Sequence, residues 1–238
     1  MGRGPRAFFY TRIRALVASR ASGPCVLRTR PTGSSAVAPF DVILFDLGGV
    51  VIELDGPPIR AAWTSEQDET EVWRRWIHST AVRRFESGRG SSAEFCDEIV
   101  RELGLSIDGD EFLRHFLAWP KGIYPGMYEL LRTLGETYRV GCLTNCNELH
   151  WRRYIDDLAL GQVFHHPFSS HELGALKPDA EIFERVVREL GCPAERVLFV
   201  DDNQMNVDGA VAAGLHAFRA KGPEEVRAGL ARAGVLRR

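Results

Sequence analysis

Three apolar runs in this chain each end in side chains that can do chemistry. Asp46 closes Val42-Ile43-Leu44-Phe45 and is followed by Leu47 and the pair Gly48-Gly49; Thr144 and Asn145 follow Val140-Gly141-Cys142-Leu143; Asp201 and Asp202 follow Val197-Leu198-Phe199-Val200. A carboxylate at a strand end can be a nucleophile or a metal ligand, or it can simply form a turn. Adjacent acids repel, and at a buried mouth they are tolerated chiefly when a cation compensates them. A hard cation with oxygen ligands, Mg2+, suits such a set, because it keeps waters and usually meets a substrate phosphate. Lys177 is one of three lysines in a chain with 27 arginines and could bring positive charge to the same place. Alone, it reads equally as a solvated surface lysine.

The elements that must position these residues follow from hydrophobic patterning. Short apolar runs bounded by turn signals read as buried strands of a parallel sheet, expected over 42–45, 140–143, 163–168, 197–200 and 215–218. Between them, Ile182, Phe183, Val186, Val187 and Leu190 form one helical stripe that begins after Pro178 and ends near Gly191. Alternating strands and helices predict an α/β fold, a doubly wound parallel sheet of Rossmann-like type. In such a sheet the carboxyl ends of the strands share one edge, where ligands bind, so the polar clusters converge there.

Residues 56–122 differ in character. They hold four of the five tryptophans, with Trp73, Trp76 and Ile77 on one helical face and Phe95, Ile99 and Leu103 on another. This predicts an inserted all-helical cap over 56–122, with the α/β core drawn from 41–55 and 123–238. Its tryptophans read as core rather than as a ligand platform. Asn206 and Asp208 are expected to cap and charge-complement a helix, and His165-His166 to pack in a strand with opposite facings.

Composition bounds the function. The chain has 238 residues and a formal net charge of −2, but residues 1–40 carry seven Arg and no acid, so the rest stands at −9. A body of that charge offers no footprint for nucleic acid. No apolar run reaches the roughly 18 residues that a membrane span requires. Five Cys without metal-binding spacing are expected to be reduced thiols, in a cytoplasmic setting. The Arg-rich, acid-free first forty residues read as a disordered or targeting extension, and organelle import is the alternative to a cytoplasmic location.

Taken together, Asp46-Leu47-Gly48-Gly49-Val50-Val51, Leu143-Thr144-Asn145, Lys177-Pro178 and Phe199-Val200-Asp201-Asp202-Asn203 resemble, in order and spacing, the four motifs of the haloacid dehalogenase-like hydrolase superfamily. The inserted segment resembles its helical-cap phosphatases. Phe85-Glu86-Ser87-Gly88, Thr144-Asn145-Cys146-Asn147 and Ser170-His171-Glu172-Leu173-Gly174 are similar to the branch containing glucose-1-phosphate phosphatase.

The resemblance implies a Mg2+-dependent phosphatase acting on a small phosphorylated metabolite, with a sugar phosphate as first choice. By it, Asp46 is the nucleophile that forms an aspartyl-phosphate. Asp46, Asp202 and the Gly48 carbonyl hold Mg2+, with Asp201 acting directly or through water. Thr144, through its hydroxyl, and Asn145, through amide groups, donate to the phosphoryl oxygens, and Lys177 neutralises charge. One departure stands out: most phosphatases of the superfamily carry an acid/base Asp two residues after the nucleophile, where this chain has Gly48. Glu53, Asp55, His150 or a metal-activated water could replace it. Two alternatives follow: a dehalogenase, which needs no paired acids, and a catalytically weak or inactive binding protein.

Overall fold

The structure is a computed structural model that describes residues 39–236, so nearly all of the extension expected over 1–40 lies outside the described residues. Among the described residues seven strands occur in the order β1 (Val42–Phe45), β2 (Ile52–Leu54), β3 (Pro120–Ile123), β4 (Arg139–Thr144), β5 (His166–Ser169), β6 (Val197–Asp201) and β7 (His216–Arg219). Five of them form a parallel sheet in the order β5-β4-β1-β6-β7. The chain builds outward from β1 through β4 to β5, then returns to add β6 and β7 on the other side. The carboxyl end of β1 is therefore the point where strand order reverses, which is where ligands bind in open sheets of this kind.

β1 is apolar throughout because both of its faces are covered. Ile43 and Phe45 pack into one buried cluster with Leu131, Val140 and Val200, whereas Val42 and Leu44 pack into another with Phe183, Val186 and Phe199. Among the described residues six helices accompany the sheet. Their ranges are Met127–Gly135, Glu148–Arg152, Ser170–Leu173, Ala180–Leu190, Gln204–Ala212 and Gly222–Arg232. The expected stripe on Ala180–Leu190 is buried at Ile182, Phe183, Val186 and Leu190, and Gly191 ends the helix in the left-handed conformation at φ 62°.

The strand expected over 163–168 starts later than its composition suggests. Leu160–Gln162 forms a 3-10 turn, and the Val163 and Phe164 N–H groups both close on the Leu160 carbonyl at 3.1 Å, so regular pairing begins at His166. His165 still engages the sheet, its Nδ1 accepting from the Val140 N–H at 3.1 Å.

Between β2 and β3, which pair antiparallel, lie α1 (Glu69–His78), α2 (Thr80–Glu86), α3 (Ser92–Leu103) and α4 (Gly109–Ala118). Their starts are set by side-chain caps. Asp68 accepts from the Thr70 N–H, Ser79 from Val82, and Asp108 from Glu111, while Ser91 and Glu94 form a reciprocal capping box. These helices bury a third apolar cluster around Trp76, whose ring lies 6.2, 6.5 and 5.9 Å from those of Phe95, Phe112 and Phe116. Trp63 and Trp76 are thus core residues, as expected. Trp73 and Trp119 are only partly buried and line a cleft that opens toward Asp46. The helices that flank the sheet, in chain order, are α5 (Met127–Gly135), α6 (Glu148–Arg152), α7 (Ser170–Leu173), α8 (Ala180–Leu190), α9 (Gln204–Ala212) and α10 (Gly222–Arg232).

Candidate active site

The polar strand ends do converge. Lys177 sits between two of them, with Nζ 2.9 Å from Asp46 Oδ1 and 2.6 Å from Asp201 Oδ2. It is 2 % exposed, so the solvated reading of this lysine fails. Its backbone is fixed from the neighbouring strand end, because Asn145 Nδ2 donates to the Lys177 carbonyl at 3.0 Å and Asn145 Oδ1 accepts the Lys177 N–H at 2.9 Å. Oδ1 and one of the two Nδ2 hydrogens of Asn145 are thus engaged in placing Lys177, and Asn145 itself lines the cavity above the acids.

Asp201 is likewise engaged. Its Oδ1 accepts the Asn203 N–H at 2.8 Å, and Asn206 Nδ2 lies 3.1 Å from each carboxylate oxygen. Asn206 is thus not a cap, contrary to expectation. Asn203 caps α9 by accepting from the Met205 N–H, and Asn206, one turn in, faces the buried acid. Asp208 instead accepts from Gln204 on the helix surface.

Asp202 differs from its neighbour, since among the described residues no hydrogen bond or ion pair reaches its carboxylate. Burial pushes this group up to about 7, with Asp46 and Asp201 adding repulsion. Asp46 is pushed up to about 6, again chiefly by burial; Lys177 opposes the shift and Asp201 reinforces it. Burial disfavours the Lys177 ammonium, but Asp201 and Asp46 outweigh that and hold it firmly protonated.

The charge balance is incomplete. Asp46, Asp201 and Asp202 present carboxylate oxygens within 4.8 Å of one another, against one ammonium. Asp46 Oδ1 is buried and, although Lys177 lies close, accepts no properly directed hydrogen bond. An all-oxygen donor set with an orphaned buried oxygen and an uncompensated acid fits a hard divalent cation. Gly49 makes this approach possible: its φ is +74°, and a Cβ there would lie 2.4 Å from Asp202 Oδ2.

A cavity of about 180 Å³ opens above these groups, lined from the core by Asp46, Gly48, Thr144 and Lys177 and from the helical insertion by Trp73, Trp119 and Glu86. It is smaller than the roughly 300–1,000 Å³ of drug-sized ligand sites, so small ligands suit it. Two segments that are far apart in sequence meet beside it. Ser170 Oγ accepts the Cys146 N–H at 2.9 Å and donates to the Glu86 carbonyl at 2.6 Å. Gly88, at φ +74°, packs so closely on α7 that a Cβ would lie 2.3 Å from the His171 carbonyl oxygen.

Of the three side chains expected to replace an acid/base at position 48, Glu53 and Asp55 lie away from the cavity, and His150 lines it but is otherwise engaged. Glu53 is partly exposed and pairs with Lys121, and Asp55 is exposed and lies 3.4 Å from Arg60. His150 is buried, and its Nε2 meets the Phe116 carbonyl at 2.7 Å while Nδ1 faces Asn147 Nδ2 at 3.4 Å. Burial lowers its basicity to about 4, so it is a neutral strut between α6 and α4. Sequence reasoning assigned no role to Glu86 or Ser170 and read Asn206 only as a helix cap. The available signal was the pair of segments 85–88 and 170–174, noted only as points of resemblance.

Comparison with known proteins agrees with this geometry. Phosphatase MT3486 of Mycobacterium tuberculosis is 27% identical over 213 residues, covering 83% of this chain and 93% of its own. The D-ribitol-5-phosphate phosphatase of Bacteroides thetaiotaomicron is 23% identical over 185 residues, 74% of this chain and 90% of its own. A HAD family enzyme of Bacteroides thetaiotaomicron, solved in complex with magnesium and inorganic phosphate, superposes with a TM-score of 0.63 at 25% identity, covering 78% of this chain and 96% of that one. Residues 40–214 match the model of the haloacid dehalogenase-like hydrolases, so this chain, with its reversed parallel sheet and its acids gathered at one edge, belongs to that hydrolase family.

Proposed function

We propose that the chain is a magnesium-dependent phosphatase for small phosphorylated metabolites, sugar phosphates first, working through a phosphoryl group carried on Asp46. The observation that carries this reading is the bridge by Lys177 between Asp46 and Asp201 beside the unpaired Asp202. Such a site combines a nucleophile, a fixed cation and room for a second one. Phosphatase relatives of similar length and a magnesium- and phosphate-bound structural neighbour support it.

Asp46, Asp202 and the Gly48 carbonyl would hold the magnesium ion, with Asp201 kept close behind them. When bound, magnesium screens the phosphate from the attacking carboxylate and orients the in-line displacement. The remaining steps belong to the chain. An Asp46 oxygen attacks phosphorus, the Thr144 hydroxyl donates to a phosphoryl oxygen, and Lys177 neutralises charge that builds on the nucleophile and phosphoryl group. Trp73 and Trp119 give the leaving group an apolar wall that excludes water. A dehalogenase would have no use for the paired acids at Asp201 and Asp202, which keeps that alternative behind.

Phosphate release is measured from sugar phosphates, nucleotides and a chromogenic aryl phosphate, with Mg2+ or EDTA, for wild type and Asp46→Asn. Release that requires both Mg2+ and Asp46 is the expected result. A folded, Mg2+-loaded protein that releases phosphate from no compound would instead support the binding-protein reading.

A further inference from the structure

The phosphatase reading leaves one chemical task unassigned. An alcohol leaving group must receive a proton as its bond to phosphorus breaks, and the water that follows must lose one. Gly48 has no side chain for this, and the space its Cβ would enter is bounded by Leu54, whose Cδ1 would lie 3.3 Å away. Glu53 and Asp55 are committed to surface cations, and both ring nitrogens of His150 are occupied.

Glu86 is the remaining carboxyl that opens onto the cavity from the insertion. It is the last residue of α2, and the next turn is pinned to the core by the Ser170 bond to its carbonyl and by the close contact of Gly88 with α7. Among the described residues no hydrogen bond or ion pair reaches its side chain, unlike the neighbouring Arg83, which is 3.0 Å from Asp179. A carboxyl group without a structural partner, held at a fixed place on the wall of the cavity that the nucleophile also lines, is poorly explained by stability alone.

We propose that Glu86 is the acid/base residue of this enzyme, delivered from the helical insertion to the face of the substrate that the Gly48 position leaves unserved. This inference rests on the phosphatase reading. In the first half-reaction an Asp46 oxygen bonds to phosphorus, the bond from phosphorus to the ester oxygen breaks, and that oxygen takes the Glu86 proton to leave as an alcohol. In the second, water bonds to phosphorus and gives a proton to the Glu86 carboxylate. The bond from phosphorus to the Asp46 oxygen breaks, releasing phosphate and returning both groups to their starting states.

The surroundings of Glu86 suit this cycle. Burial pushes its carboxyl up to about 7, with Lys177 opposing and Asp46 adding to the shift, and Arg83 opposing more weakly. His150 and His171, on the core elements beside it, are both held to about 4 by burial and remain neutral. Lys177 stays charged and paired with the acids below.

Leaving-group chemistry provides the test. An aryl phosphate releases a phenolate that needs little protonation, whereas glucose 6-phosphate releases a poor alkoxide that needs a full proton. Values of kcat/KM are measured for Glu86→Gln and wild type on p-nitrophenyl phosphate and glucose 6-phosphate at saturating Mg2+. The loss on the alkyl ester is expected to exceed the loss on the aryl ester by about 10² or more, the usual worth of general acid help. Glu86→Asp, which keeps the acid but withdraws it by one methylene, should show the same bias to a smaller degree and serves if the Gln variant does not fold. Equal losses on both esters, or an alkyl ester unaffected by either substitution, would overturn the proposal. Wild type that hydrolyses neither ester would overturn the phosphatase reading beneath it.

Discussion

Ser170 Oγ donates to the main-chain carbonyl of Glu86 at 2.6 Å while accepting the Cys146 N–H at 2.9 Å. One hydroxyl thus ties the loop after β4, helix α7 and the end of α2 together beside the nucleophile. Removing it leaves the Glu86 carbonyl without this partner and frees the turn to shift. Ser170→Ala is expected to lower kcat/KM for an alkyl phosphate about tenfold more than for an aryl phosphate, since displacements near 1 Å can cost about 10² in rate. Equal loss on both esters in steady-state assays would show that Ser170 serves the loop after β4 rather than Glu86.

Lys177→Met should be costly in the metal-free protein. It leaves Asp46 and Asp201 buried with no ammonium between them, and breaking a buried pair this way typically costs about 3–5 kcal/mol. Urea unfolding with and without Mg2+ measures the effect, and added Mg2+ should recover part of the loss. Stability indistinguishable from wild type would mean that the two acids are satisfied without Lys177.

Gly49→Ala probes the cation site without touching a donor atom. The new Cβ would fall 2.4 Å from Asp202 Oδ2, and the backbone there is left-handed at φ +74°. Asp202 must move or the turn must open, so Mg2+ affinity measured by titration calorimetry should fall about 10- to 100-fold, as for other disturbances around metal ligands. Unchanged affinity would place the cation away from Asp202.

His150 gives the protein an acid-sensitive joint between α6 and α4. Its folded-state value of about 4 lies below its ordinary 6.5, so the native state binds fewer protons than the unfolded state between these limits. The stability it supports is complete above pH 6.5 and is lost as pH falls toward 4. Between pH 7 and 5 wild type should lose about 2 kcal/mol more than His150→Gln, read from urea midpoints at each pH. Parallel pH dependence in the two proteins would show that His150 takes up its proton without leaving its place.

Much of this protein was written in local pattern. Apolar runs ending in Asp46, Thr144 and Asp201 placed three strands and their shared edge, because a strand buried on both faces must be apolar and must give way to a turn. The stripe from Ile182 to Leu190 located a helix, and the Trp-rich segment located the insertion. Chemistry at that edge followed from residue type alone, since paired acids beside a lysine carry their charge wherever the chain puts them.

Tertiary structure decided the rest. Asn145 and Asn206 look alike in sequence, as polar residues near strand ends, yet one clamps the Lys177 backbone and the other holds Asp201. Trp76 and Trp73 lie three residues apart on one helix and both reach the cleft, and only packing buried the first in the cluster while leaving the second partly open. Above all, Glu86 and Ser170 are 84 residues apart, and nothing local to either signals that they meet. Periodicity reports which face of an element is buried, but not which element buries it. The partner of a side chain across a domain-sized loop is set by how whole surfaces fit, and that information exists only once the chain has folded.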